Sequence, residues 1–259
     1  MKTKLSVNLN KVALLRNSRD TTIPSVVDAA RTCIAAGAEG ITVHPRPDMR
    51  HIRPDDVFAL ADLLAEPEFS DIEFNIEGNP YAGPEDNGYP GFIALTEATS
   101  PHQCTLVPDD PVQLTSDHGW DLTGESNRLA GVVAELKARG SRVSLFMDPD
   151  PLQIRLAARL GTDRIELYTG PYADTFGTDE AAGAFASFQN AATLAAELGL
   201  GLNAGHDLNL TNLGHFASVT DLAEVSIGHA IIADALRFGL HETVSRYRNI
   251  LDAANTPRT

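Results

Sequence analysis

The sequence predicts a single-domain (β/α)8 barrel. Three observations carry that prediction: short β-prone apolar runs recurring along the whole chain, longer helix-like segments between them, and run ends that are unusually polar. The runs are Leu5 to Asn8, Gly40 to His44, Glu73 to Glu77, Gln103 to Val107, Arg142 to Met147, Arg164 to Tyr168, Gly201 to Asn203 and Glu224 to Ile227. The intervening segments carry apolar residues at helical spacing: Val26, Val27, Ala30 and Ile34, then Val57, Leu60, Ala61 and Leu64, then Leu129, Val132, Val133 and Leu136. Gly37, Gly140, Gly161 and Gly199 follow such segments and suit the left-handed position that closes a helix.

Alternating strands and crossovers predict a parallel sheet, and 259 residues match the ~250 typical of a closed barrel. An open doubly wound sheet is the runner-up, but no G-x-G-x-x-G follows the first run. The Pro- and Gly-rich stretch Gly78 to Gly91 carries the turn signal Asp86-Asn87-Gly88 and reads as an inserted loop within one domain spanning residues 1–259.

Composition narrows the partners. Lys plus Arg total 20 against 35 Asp plus Glu, a net charge of -15, and the basic residues form no stripe that could track a phosphodiester backbone. Nucleic acid is therefore not expected, and an anionic small molecule would need a locally built site. The two cysteines, Cys33 and Cys104, lie in apolar segments without metal-ligand spacing and read as buried free thiols. No stretch has the ~20 apolar residues of a membrane span and no signal peptide is evident, so a cytoplasmic protein is expected.

In such a barrel the chemistry sits at the C-terminal ends of the strands. Those ends carry Asn8 and Asn10, His44 and Arg46, Glu77, Glu166, Asn203 with Gly205-His206, and Gly228-His229. A carboxylate such as Glu77 among histidines suits general acid-base work, and His44 and His206 can exchange protons near neutrality at their intrinsic pKa of ~6.5. The segments Asn203 to His206 and Ile227 to Ala230 place glycines where backbone N–H groups could meet a phosphate at a helix N-terminus. A second anion site is expected at the cationic cluster Arg46, Arg50 and His51, supplemented by Arg16 or Arg19. Two anion sites point to two phosphorylated substrates or one bisphosphorylated ligand. A metal-dependent aldolase or isomerase using His44, His206, His229 and Glu77 as ligands, and a barrel that only binds a phosphorylated metabolite, are the competing readings.

Val7-Asn8 with Leu15-Arg16-Asn17, the run GITVHPRPDMRHI from Gly40, Asn75-Ile76-Glu77, CTLVPDD from Cys104, VSLFMDPD from Val143, RIELYTGPYA from Arg164, LNAGHDLN from Leu202 and SIGHAII from Ser226 together resemble the pyridoxine 5'-phosphate synthase family over essentially the whole chain. The resemblance implies condensation of 1-deoxy-D-xylulose 5-phosphate with 3-amino-2-oxopropyl phosphate to pyridoxine 5'-phosphate, phosphate and water. It implies that His44 and Glu77 are proton acceptors and His206 a proton donor. It further implies that Asn8, Arg19, Asp207, Gly228 and His229 contact the aminoketone phosphate, and that Asn10, Lys11, Arg46, His51 and Thr115 hold the sugar phosphate. No metal or organic cofactor is implied, and the family resembled works as a homo-oligomer, commonly an octamer. The sequence departs from the family pattern at Asn10-Lys11, where many members carry Asp-His, and at Asp207, where glycine is usual. The role of Glu166 stays open at this point.

Overall fold

The computed structural model describes residues 2–19, 21–110 and 112–254, with backbone alone at 125–127. Its strands are β1 (Lys4–Asn8), β2 (Gly40–Val43), β3 (Glu73–Gly78), β4 (Gln103–Leu106), β5 (Arg142–Met147), β6 (Arg164–Tyr168), β7 (Gly201–His206) and β8 (Leu222–Ile227). Each pairs in parallel with its sequence neighbours, and β8 returns to β1 to close the barrel. The helices are α1 (Asn10–Asn17), α2 (Val26–Ala35), α3 (Pro54–Leu64), α4 (Phe92–Thr99), α5 (Leu122–Ala138), α6 (Pro151–Arg159), α7 (Gly170–Thr175), α8 (Ala181–Glu197), α9 (Leu213–Phe216), α10 (His229–Phe238) and α11 (Leu240–Ala254).

Local signals explain many boundaries. Ser25 caps α2 by accepting the Asp28 N–H, and Asp150 caps α6 by accepting those of Leu152 and Gln153. Gly37, Gly140, Gly161 and Gly199 all take positive φ, as the helix-end reading requires. The largest difference is β7, expected to stop at Asn203 but continuing to His206. Glycine lowers strand propensity, so Gly205 looked like a turn, yet it is flanked in register by Tyr168 of β6 and Ser226 of β8, and that pairing overrides propensity.

Period-two alternation sorts the strand residues. Leu5, Val7, Ile41, Val43, Ile76, Val143, Leu145, Ile165 and Val225 are fully buried and join the apolar core that includes the helices. The alternate positions build a polar interior. Gln103 on β4 donates to Glu224 on β8 at 3.4 Å and Thr105 on β4 reaches Glu166 on β6 at 3.4 Å, contacts that only inward-facing side chains of non-adjacent strands can make. A barrel lumen usually holds branched apolar side chains; this one is lined by hydrogen-bonded polar groups that continue down from the polar strand ends.

Gly78 to Gly91 forms an ordered loop between β3 and α4. It turns at Glu85 to Gly88, where Gly88 has φ +96, and is anchored by buried Tyr89 and by Asn87 Nδ2 donating to the Pro47 carbonyl at 2.8 Å. Cys33 and Cys104 are buried and free, and burial pushes both thiols up to about 12. Among the described residues no helix is long and apolar enough to cross a membrane.

Candidate active site

A cavity of about 310 Å³ opens at the C-terminal ends of the strands. Asn8, Asn10, Lys11, His44, Arg46, His51, Glu77, Thr115, His206, Asp207, Gly228 and His229 all line it. Arg19 does not: it is exposed beyond the end of α1. Two helices begin at this cavity, α1 at Asn10 and α10 at His229, and their first-turn N–H groups carry the positive end of the helix dipole.

Glu77, near the end of β3, accepts from Asn8 Nδ2 at 3.2 Å, and its Oε2 lies 3.9 Å from His44 Nδ1. Burial pushes its carboxyl up to about 8, with Asp109 adding to the rise and Arg46 opposing it. Glu166 on β6 shares the cavity wall and is 2% exposed. Burial, and then the neighbouring Glu77, hold it well above the carboxylate range. Near pH 7 each carboxyl can therefore be neutral and donate a hydrogen bond, while the ionised fraction of Glu77, with its carboxyl at about 8, is a stronger base than an ordinary carboxylate.

His44 follows β2, its backbone N–H held by Asn10 Oδ1 at 2.9 Å. Burial first, then Arg46, His51 and Arg50, keep its imidazole well below 6.5, which corrects the expectation of an unperturbed histidine. It is neutral at working pH, a state suited to accepting a proton. His51 is corrected likewise. Burial, Arg46 and Lys11 lower it to about 3, and its Nδ1 accepts the Ile52 N–H at 2.9 Å, so it offers a neutral N–H and not a cation.

The expected guanidinium cluster is partly dispersed. Arg16 is buried in a two-pronged ion pair with Asp56, a structural tie between α1 and α3 that leaves it no role at the cavity. Arg50 is directed to Asp48 at 2.6 Å and to the Gln113 carbonyl at 3.1 Å. Arg46 faces the cavity while paired with buried Asp109, and it also donates to the Gln113 carbonyl at 3.2 Å. Lys11, on the first turn of α1, completes the positive wall. Its ammonium is lowered by burial and by Arg46 and Arg50.

At the end of β7, His206 has φ +101, a left-handed backbone that is uncommon for any residue other than glycine. Its Nδ1 bonds Asp207 Oδ2 at 2.7 Å and its Nε2 bonds Thr115 Oγ1 at 2.7 Å. The Asp207 N–H, expected at a phosphate, instead donates to Thr169 Oγ1 at 3.3 Å. Gly205 also departs from the expected anion loop. A Cβ there would strike Glu166 Oε1 and lie 2.9 Å from the Ser226 carbonyl, so glycine is needed for close packing inside the barrel. Gly228 packs closely too, since a Cβ there would lie 3.0 Å from Asn8 Cβ.

A family model described as pyridoxal phosphate biosynthesis protein PdxJ matches residues 5–253. The chain belongs to the PdxJ family. It is 57% identical over 252 residues to a pyridoxine 5'-phosphate synthase of Xanthomonas oryzae pv. oryzae (strain PXO99A), covering 97% of each chain. It is 53% identical over 255 residues to the enzyme of that name from Xylella fastidiosa (strain M12), covering 98% of this chain and 96% of the other. Among solved structures it is similar to a chain of the Amycolatopsis orientalis BexX/CysO complex, with a TM-score of 0.62 at 15% identity, covering 100% of this chain and 94% of that one. It is also similar to phosphoribosyl anthranilate isomerase from Thermotoga maritima, with a TM-score of 0.59 at 12% identity, covering 97% and 99%. These structural likenesses speak to the barrel alone.

Within this PdxJ-family site, sequence reasoning missed Asp109, Ser116 and Ser226. Asp109 binds Arg46 and accepts from Ser116 Oγ at 2.7 Å, while Ser116 and Ser226 line the cavity. The strand-end rule that selected His44 and Glu77 would have reached Asp109, three residues past β4, had it been applied to that strand. The competing metal-ligand set does not gather: among the described residues no three His, Cys, Asp or Glu side chains converge on a common point.

Proposed function

We propose that the chain is a pyridoxine 5'-phosphate synthase in which His44, Glu77 and His206 move the protons of the reaction. It condenses 1-deoxy-D-xylulose 5-phosphate with 3-amino-2-oxopropyl phosphate. Atom balance gives pyridoxine 5'-phosphate, inorganic phosphate and two molecules of water, with no external oxidant.

The observation that carries this reading is the meeting of three proton-transfer groups with Lys11, Arg46 and the start of α10 around one cavity. Lys11, Arg46 and the neutral His51 N–H bind the sugar phosphate. The first turn of α10 at Gly228-His229, with Asn8 beside it, receives the aminoketone phosphate. Holding both substrates in one cavity makes attack of the amine on the sugar ketone effectively intramolecular.

Dehydration of that adduct gives an imine-enamine system. Glu77 takes a proton from carbon, a role helped by a carboxyl pushed up to about 8. Neutral His44 accepts a further proton, and His206 donates one as water and phosphate leave. Protonated Glu166 offers a hydrogen bond to enolate-like charge. Aldol-type closure and aromatisation complete the sequence.

Purified protein incubated with both substrates should develop a pyridinol absorbance and release inorganic phosphate. Failure to form product from substrates competent with another synthase would overturn this reading.

A further inference from the structure

We propose that Asp207 is a positioning residue for His206: through its side chain it fixes the tautomer and direction of the imidazole and takes no part in holding a substrate phosphate. The inference rests on the reading of His206 as a proton donor. It assigns to Asp207 a task different from the phosphate contact that family resemblance suggests.

Two observations separate the tasks. The backbone N–H of Asp207, the group that could serve a phosphate, is turned to Thr169 Oγ1 at 3.3 Å. Thr169 is fully buried, and its hydroxyl donates to the Gly205 carbonyl at 2.7 Å, so its lone pairs are free to receive that N–H. Meanwhile the Asp207 carboxylate, which would repel a phosphate, accepts from His206 Nδ1 at 2.7 Å. A carboxylate can only accept, so the proton of a neutral His206 resides on Nδ1. Nε2 is then the acceptor, and the Thr115 hydroxyl at 2.7 Å is its donor. When His206 carries a proton on Nε2, the same carboxylate stabilises the imidazolium and the Nε2–H is directed to the Thr115 hydroxyl at the cavity wall.

The ring is constrained on further sides. Tyr168 packs against it in a T-shaped contact with centroids 5.4 Å apart and planes at 77°. The backbone at φ +101 persists because Thr169 bridges the Gly205 carbonyl and the Asp207 N–H on either side of it. Asp207 and Thr115 thus hold opposite nitrogens of one ring, and removing either frees its rotation.

Steady-state kinetics of D207A, D207N and D207G, paired with solid-state nitrogen NMR of histidine-labelled protein assigned by H206Q, test the proposal. D207A and D207G should lower kcat about 10- to 100-fold. KM for 3-amino-2-oxopropyl phosphate should stay within about twofold, because phosphate binding is untouched. D207N keeps an acceptor for Nδ1–H and should recover most of kcat. In the spectra the His206 signal should change from a single Nδ1–H tautomer to a mixture in D207A and D207G alone. A raised KM with unchanged kcat in D207A would overturn the proposal in favour of a phosphate contact. So would an unchanged His206 tautomer in D207A. Wild-type activity with a fully active H206Q would instead refute the role of His206 itself, and the NMR comparison would still decide whether Asp207 sets its tautomer.

Discussion

The side-chain amide of Asn8 donates to Oε2 of Glu77 at 3.2 Å, while its Oδ1 accepts the N–H of Asn10 at 3.0 Å. One asparagine at the end of β1 therefore orients the carboxyl on β3 and fixes the first turn of α1. Gly228, lacking a side chain, leaves room for it there.

The variant G228A tests that arrangement. The new Cβ would sit 3.0 Å from Asn8 Cβ and 3.2 Å from its Oδ1, tighter than most such contacts, so Asn8 must give by a few tenths of an ångström. The expected cost in stability is about 1–3 kcal/mol, as for other overpacked sites. Turnover should fall and KM for the aminoketone phosphate should rise together, since both Glu77 and the start of α10 are disturbed. Chemical denaturation and steady-state kinetics on the same preparation check both.

Asp109 contributes to Glu77 without touching it. Its charge is the second cause, after burial, of the raised carboxyl, and it also neutralises Arg46, which pulls the other way. In D109N both changes lower the Glu77 pKa. The limb of the kcat/KM profile that reports Glu77 ionisation should move to lower pH, whereas loss of overall fold would lower the profile without moving it.

Glu224, deep in the barrel, links pH to stability. Burial first, then Glu73, push its carboxyl from 4.5 up to about 8, with Arg164, whose Nη1 lies 3.7 Å from its Oε2, opposing the rise. Between those values the folded chain keeps a proton that the unfolded chain has released. Its contribution to stability is thus full below about 4.5 and is lost as pH rises through about 8. Wild-type Tm should fall between pH 6 and pH 9. In E224Q, which keeps an oxygen for the Gln103 amide, that fall should be smaller. An equal fall in both proteins would contradict the assignment.

How much of this could be read from residues alone depends on the length scale of the cause. The strand runs and the helix-ending glycines are local: alternation, apolar spacing and positive φ are properties of a few consecutive residues, and they were legible. His44, Glu77 and His206 were legible as members of one cavity because the barrel delivers every strand end to the same face. Arg16 and Arg50 were not, since whether a guanidinium faces a ligand or a carboxylate is decided by partners such as Asp56, distant in sequence. The neutrality of His51 was hidden for the same reason: burial and the fields of Arg46 and Lys11 exist only after folding. Gly205 was misread because close packing against Glu166 and an exposed turn leave the same residue in the sequence.

The central claim is that Glu77, beside neutral His44, removes a proton from carbon. Single-turnover and steady-state kinetics of E77Q with both phosphorylated substrates test it most directly, because glutamine keeps the Asn8 contact and the shape of the site while removing the base. The predicted result is a loss of at least about 100-fold in kcat with both KM values within a few-fold of wild type. Turnover close to that of the wild type would contradict the account.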